Sequence, residues 1–324
     1  MKYDIIFYEA FEEEADELKK HLSPDVKAVY TADTIQESEY RELDAPVISV
    51  RTQSILPLNW HNDLNAIISR STGYDHLLAY KKATNGDLHL GNLPLYCHRS
   101  VAEHALMLWM NLSKNYKKQT EQFNNFHRDG ITGYESMDKT LFVIGVGNIG
   151  YEVVKVGRGI GMNVIGNDIV QKHEDVEYVS LMEGIEKADF VVCAMSLNPE
   201  NEGILNKELF SKAKKRPFFV NISRGELSPL EDIKTLLQEG QLKGAALDVY
   251  DKEKELAEHL RSGDISSSEY TKMVAEMVKN HNVIFTPHNA FNTHESVVRK
   301  SKQSIEQYEH LLETGCLKWS VSDK

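Results

Sequence analysis

Three short segments, each lying just past an apolar run, carry residues able to hold an acid and move a proton. Asn221-Ile222-Ser223-Arg224-Gly225 follows Pro217-Phe218-Phe219-Val220; Leu247-Asp248-Val249-Tyr250-Asp251-Lys252-Glu253 closes Gly244-Ala245-Ala246-Leu247; Thr286-Pro287-His288-Asn289-Ala290-Phe291 follows Val283-Ile284-Phe285. An arginine offers a planar fork to a carboxylate, a histidine delivers a proton near neutral pH, and a carboxylate orients that histidine. A 2-keto acid needs this set. The guanidinium fixes its carboxylate and polarises its carbonyl, while an acid protonates the oxygen as a hydride arrives. Taken singly, Arg224 reads as a surface cation at a helix start, Glu253 as one charge in a solvated run, and His288 as a turn residue after Pro287. Their coincidence at three strand ends favours one shared site.

A second pattern supplies the hydride carrier. Gly145-Val146-Gly147-Asn148-Ile149-Gly150 directly follows Leu141-Phe142-Val143-Ile144 and opens a helical pattern over Tyr151 to Gly159. In that setting Gly145 permits a tight turn, Gly147 lets the backbone approach a pyrophosphate, and Gly150 allows helix to pack on strand, with the helix N-terminus holding the phosphates. A glycine-rich turn is the bland alternative. Against it, Asp168 ends the next strand 18 residues past Gly150, where a carboxylate binds ribose hydroxyls. The same charge repels a 2′-phosphate, and the nearest following basic residue is Lys172, so NAD is expected rather than NADP.

These loops require an α/β framework. From Leu141 onward six strand-like runs alternate with helical stretches, the count of a doubly wound dinucleotide fold. Before them, Asp4–Tyr8, Val26–Tyr30, Val47–Val50 and Ala66–Ile68 alternate with patterns such as the acidic amphipathic stretch Phe11 to His21, which implies a separate parallel α/β unit. Between the two, an apolar-periodic segment from Ser100 to about Phe123 predicts one linking helix, with Ser100 as N-cap and Glu103 completing a capping box. The stretch Thr293 to Thr314 reads as a helix ending near Gly315, free to return to the first unit.

Composition agrees with two domains, since 324 residues exceed what one hydrophobic core encloses. Lys and Arg number 37 against 49 Asp and Glu, a net charge of −12 that repels polyphosphate and argues against nucleic acid. An anionic substrate must then be attracted locally, by individual arginines and backbone N–H groups. The apolar run Ala105–Met110 falls far short of the roughly 20 residues that span a bilayer, and Met1-Lys2-Tyr3-Asp4 opens straight into a strand, so no membrane partner and a cytoplasmic location are expected. Cys97, Cys193 and Cys316 are an odd number without metal-like spacing; they are expected to be reduced structural thiols, with no metal site.

The segments NISRG, ALDVYDKE and TPHNAF, with GVGNIG and SVAEHALML upstream, resemble the D-isomer-specific 2-hydroxyacid dehydrogenases over nearly the whole chain. The resemblance implies two Rossmann-like doubly wound domains: a flavodoxin-like substrate domain from residues 1–98 and 292–324, and an inserted NAD-binding domain over 99–291. It implies Arg224, Glu253 and His288 as the catalytic triad. Asn148, Ile149, Asp168, Met195, Ser196, Asn201, Ile222 and Ser223 match positions lining NAD, and Asp248 a residue near the nicotinamide. The backbone of Thr72 and Gly73 matches the cradle of the substrate carboxylate, and Tyr96 and Phe291 match pocket residues of the D-lactate dehydrogenase branch. Catalysis is implied in the cleft, and a homodimer through the inserted domain. Ala194 and Ser196 depart toward the glyoxylate/hydroxypyruvate reductase branch, and Asn289 stands where a small or apolar residue is usual. Glu253 argues against formate dehydrogenase, which carries glutamine there. A co-repressor-like NAD-binding interaction module without turnover is the alternative that the motifs leave open.

Overall fold

The computed structural model describes residues 1–85 and 88–321; the last three residues of the 292–324 segment lie outside that range. By its internal contacts the chain forms two compact units, Met1–Cys97 with Asn292–Lys324, and His98–Phe291.

The first unit is built on strands β1 (Ile5–Phe7), β2 (Ala28–Tyr30), β3 (Val47–Val50), β4 (Ala66–Ser69) and β5 (His89–Gly91), all parallel in the order β2-β1-β3-β4-β5. That is the flavodoxin-like order. Strands β1, β3 and β4 are buried along their whole length, because helices cover both faces. Ile5, Phe7 and Ile68 pack toward helix α1 (Glu12–His21) and the C-terminal helix His294–Thr314; Ile6, Ile48, Val50 and Ile67 pack on the other face with Leu77 and Tyr80 of helix α2 (Asp75–Thr84). Thr293 caps the C-terminal helix, its hydroxyl accepting the Ser296 N–H, and Gly315 ends it at a φ of 75°, the end that the sequence pattern predicts.

In the second unit helix α3 (His98–Ser113) leads to helix α4 (Tyr116–Gln122) and then to seven parallel strands: β6 (Thr140–Ile144), β7 (Asn163–Asn167), β8 (Glu177–Tyr178), β9 (Phe190–Cys193), β10 (Phe218–Asn221), β11 (Gly244–Leu247) and β12 (Val283–Phe285). Their order is β12-β11-β10-β9-β6-β7-β8, so the direction of winding reverses between β6 and β9, where doubly wound folds place their ligands.

Two expectations are corrected here. The predicted single helix from Ser100 to Phe123 is two helices broken at Asn115 (φ 51°), because Tyr134 N–H takes the Ser113 carbonyl and the Gly133 backbone closes against it. Ser100 is not its N-cap: the helix starts at His98, the Ser100 hydroxyl is buried on the Phe291 carbonyl at 3.2 Å, and Glu103 pairs with Arg99 at 2.6 Å instead of closing a capping box. The sheet also has a seventh strand, the two-residue β8, too short to leave a periodic signal. Cys97, Cys193 and Cys316 are free thiols, the first two buried and the third exposed. Among the described residues no helix is long and apolar enough to cross a membrane.

Candidate active site

At the end of β6 the backbone turns at Gly145 (φ 86°), where an added Cβ would strike the Met195 backbone just after β9. Helix α5 (Asn148–Gly159) starts three residues on, and a Cβ on its Gly150 would collide with the Gly145 carbonyl. A Cβ on Gly147, by contrast, meets nothing within 4 Å. The loop is thus closed on its protein side and open on the other, a cradle whose N–H groups at the helix start face outward for an anion. At the end of β7, Asp168 Oδ2 accepts the Val146 N–H at 2.7 Å and Oδ1 the Val170 N–H at 2.9 Å, fixing a half-buried carboxylate beside the cradle. The loops after β9 and β10 are joined by the Ser223 hydroxyl donating to the Met195 carbonyl, while Asn201 Nδ2 donates to the Ser196 carbonyl at 2.8 Å and Ile222 is buried. These residues fit a dinucleotide.

The far side of the sheet holds the titratable groups. Glu253 is the first residue of the helix Glu253–Ser262, and its Oε1 lies 2.7 Å from His288 Nδ1. A carboxylate there selects the tautomer with a proton on Nδ1, leaving Nε2 as the atom that can exchange a proton with a ligand. His288 sits at φ 50°, an uncommon backbone for a residue with a side chain. Asp248, only 1% exposed, imposes it: Oδ1 accepts the Asn289 N–H at 2.8 Å and the Thr286 hydroxyl at 2.6 Å, and Oδ2 accepts the Ala290 N–H at 2.9 Å. His104 of α3 adds a contact to Thr286 Oγ1 at 3.1 Å, and burial pushes its imidazole pKa down against the opposing charge of Asp248. Tyr250 ties the same loop from beneath by donating to the Thr286 carbonyl at 2.7 Å.

Arg224 is carried on the neighbouring loop. Buried Asn221 shapes it, donating to the Arg224 carbonyl and the Ser228 hydroxyl, both at 2.8 Å, while its Oδ1 accepts the Ser223 N–H at 3.0 Å. Gly225 lies so close to the Tyr250–Asp251 peptide that any side chain would displace it, which fixes the Arg224 loop relative to the segment leading into Glu253. The structure therefore brings Glu253 and His288 into direct contact and sets Arg224 on an adjoining, tightly braced loop.

In the first unit, the loop after β4 is pinned on its carbonyl side. Asn92 Nδ2 donates to the Thr72 carbonyl at 2.7 Å, the Ser71 hydroxyl to the Gly73 carbonyl at 2.7 Å, and the Thr72 hydroxyl to the Leu93 carbonyl at 3.2 Å. The Thr72 and Gly73 N–H groups have no acceptor among the described residues. Tyr96 is buried in this unit, its carbonyl accepting from Arg299 Nε at 2.8 Å; Phe291 is buried in the other. Sequence reasoning missed the bracing residues Asn221, His104 and Tyr250, although each stands inside a quoted motif, because a bracing role leaves no mark on residue type.

A nucleotide cradle at the switch point and a carboxylate–imidazole pair at other carboxyl strand ends of the same parallel sheet occur together in dinucleotide-dependent dehydrogenases. Residues 104–290 match the family model for the NAD binding domain of D-isomer specific 2-hydroxyacid dehydrogenases. A D-lactate dehydrogenase of Streptococcus agalactiae is 29% identical over 299 residues, 88% of either chain, and an aromatic 2-oxoacid reductase of Clostridium sporogenes is 31% identical over 71% of this chain and 70% of its own. The solved D-lactate dehydrogenase of Aquifex aeolicus, complexed with NAD and lactic acid, superposes with a TM-score of 0.84 at 26% identity, covering 98% of this chain and all of that one. This chain belongs to the D-isomer specific 2-hydroxyacid dehydrogenase family. It is an NAD-dependent enzyme with D-2-hydroxyacid dehydrogenase activity.

If Asp168 holds the ribose, Asp168→Ala lowers kcat/KM for NADH by about ten- to a hundredfold, the value of hydrogen bonds to a charged group, and narrows the preference over NADPH because repulsion of a 2′-phosphate goes with it. Steady-state kinetics with both cofactors check this; an unchanged preference would refute the assignment.

Proposed function

We propose that the protein reduces small 2-keto acids to D-2-hydroxy acids, with His288 as the proton donor, Glu253 as its orienting partner and Arg224 as the substrate clamp. The observation that carries this reading is the 2.7 Å contact between His288 Nδ1 and Glu253 Oε1. It orients the ring so that Nε2 is the atom that carries the proton to the substrate. When bound, NADH supplies the hydride. His288 Nε2 gives its proton to the carbonyl oxygen during reduction and takes it back in oxidation. Arg224 holds the substrate carboxylate with its planar fork and stabilises charge developing on the carbonyl oxygen. The Thr72 and Gly73 N–H groups, and Tyr96 and Phe291, are assigned to substrate binding. The cradle Gly145, Gly147, Asn148, Ile149 and Gly150, with Asp168, Met195, Ser196, Asn201, Ile222, Ser223 and Asp248, is assigned to the cofactor.

A non-catalytic NAD-binding interaction module would keep the same residues, so turnover is what separates the two readings. Loss of NADH absorbance with a panel of 2-keto acids tests the reading, and no turnover with any of them overturns it. We further propose a homodimer formed through the second unit. Met107, Tyr116, Phe123 and Phe126 expose large apolar side chains there, Phe126 to 77%. Sedimentation should give twice the 36.9 kDa chain mass; the mass of one chain would refute it.

A further inference from the structure

The loop after β4 is held from behind by one short stretch of chain, Asn92-Leu93, and the hold reaches its N–H groups. The Leu93 N–H donates to the Ser71 carbonyl at 3.0 Å, and Asn92 Nδ2 to the Thr72 carbonyl at 2.7 Å. A trans peptide is planar with its C=O and N–H on opposite sides, so fixing one end aims the other. The Ser71 carbonyl shares its peptide with the Thr72 N–H, and the Thr72 carbonyl shares its own with the Gly73 N–H. Asn92 and Leu93 therefore turn both N–H groups, neither of which has an acceptor among the described residues, to the side away from themselves. A hydrogen bond on a carbonyl also polarises its peptide and strengthens the N–H as a donor.

Both ends of this arrangement are anchored in the core. Arg70, fully buried, fixes the start of the loop: its Nε donates to Glu14 Oε1 at 2.8 Å, and Lys300 reaches the same oxygen at 2.9 Å. Asn92, only 7% exposed, is clamped by the C-terminal part of the chain, its N–H donating to the Trp319 carbonyl at 3.2 Å and its carbonyl accepting from Gln307 Nε2 at 3.2 Å. Gln307 is fully buried and accepts the Trp319 N–H at 2.9 Å. Gly91 pairs antiparallel with Ser320, and the Val321 N–H donates to the Leu90 carbonyl at 2.8 Å, so Trp319 to Val321 lies along β5 and holds Asn92 in place. A buried amide is costly unless its hydrogen bonds are made, and the donor of this one is spent on the substrate loop.

We propose that Asn92 is a positioning residue for the substrate: through the Thr72 carbonyl it aims and strengthens the Gly73 N–H that takes the carboxylate of the 2-keto acid. The inference rests on the proposed reduction, with the Thr72 and Gly73 N–H groups binding substrate. A carboxylate keeps its charge from the bound ground state through hydride transfer, so its grip is the same in both. Weakening that grip raises KM and leaves kcat in place.

The test uses the 2-keto acid that the wild type reduces best, oxamate as a carboxylate-bearing analogue that is not reduced, and fluorescence titration of NADH. Asn92→Leu fills the site without a donor and should raise KM and the oxamate inhibition constant together by about tenfold, the value of one hydrogen bond, with kcat and NADH affinity within a few fold. Asn92→Asp sets an acceptor and a charge beside the Thr72 carbonyl, so its KM should rise further. Burial favours the neutral carboxyl, which can donate, so the ratio of that variant's KM to the wild-type KM should fall as the pH is lowered. The leucine variant has no group to titrate there, and its ratio should stay flat. A merely structural amide gives another pattern, in which fewer active molecules lower kcat while KM and oxamate inhibition stay at wild-type values. That pattern, or wild-type constants throughout, overturns the role of Asn92 and leaves the proposed reduction standing. No turnover of any 2-keto acid by the wild type overturns both. If Asn92→Leu does not fold, the pH dependence of Asn92→Asp decides alone, and a flat ratio overturns the role.

Discussion

Replacing His288 with alanine should lower kcat/KM for keto-acid reduction by about 10²- to 10⁴-fold, the span of general acid catalysis, while NADH affinity measured by fluorescence titration stays within a few fold. The split is expected because the histidine's loop does not depend on its side chain. Asp248 holds the loop through the N–H groups of Asn289 and Ala290 and the Thr286 hydroxyl, and all three bonds survive the substitution. The backbone at φ 50° is the one complication, since alanine resists that conformation more than histidine does. His288→Asn serves as the control, because asparagine tolerates a left-handed backbone. Similar losses in both variants assign the effect to the missing acid. Near-normal reduction by the asparagine variant would show that another group protonates the carbonyl.

Arg224→Lys keeps the charge and should still lose about 10²- to 10³-fold in kcat/KM, comparable to removing a donor aimed at a developing oxyanion. The loop cannot shift to compensate. Asn221 fixes it from inside, Gly225 is in contact with the Tyr250–Asp251 peptide, and the Ser223 hydroxyl is bonded to the Met195 carbonyl. A lysine presents a single point charge from the same fixed base and cannot hold carboxylate and carbonyl in one plane. If the lysine variant turned over keto acid at close to the wild-type rate, Arg224 would be a structural cation.

The chemistry-bearing residues were legible because each stands at a strand end, where types such as Gly, Arg, Glu and His break an apolar run and stand out. Six strands of the second unit and four of the first could be read because most are buried along much of their length and run in apolar residues. The seventh strand, Glu177–Tyr178, has no length over which a period could show. The break at Asn115 could not be read from local pattern, since it depends on Gly133 and Tyr134 closing on the Ser113 carbonyl. Asp248 is instructive in another way. The resemblance placed it near the nicotinamide, and its oxygens also support three groups of the His288 loop, a use set by a contact across some forty residues.

The ion cluster of Glu14, Arg70 and Lys300 also constrains how the polypeptide can mature. Glu14 and Arg70 are made early, but Lys300 belongs to the helix His294–Thr314 that packs on α1, and all of His98–Phe291 is translated in between. Until that helix arrives the first unit lacks one wall of its core, and a carboxylate destined for burial lacks one of its partners, an omission worth about 3–5 kcal/mol in a finished interior. The inserted unit has its own continuous stretch of chain and its own core, so on the ribosome it is the part that can complete first. The segment synthesised first is thus the last to become native, and during elongation it is the stretch that chaperones and proteases meet.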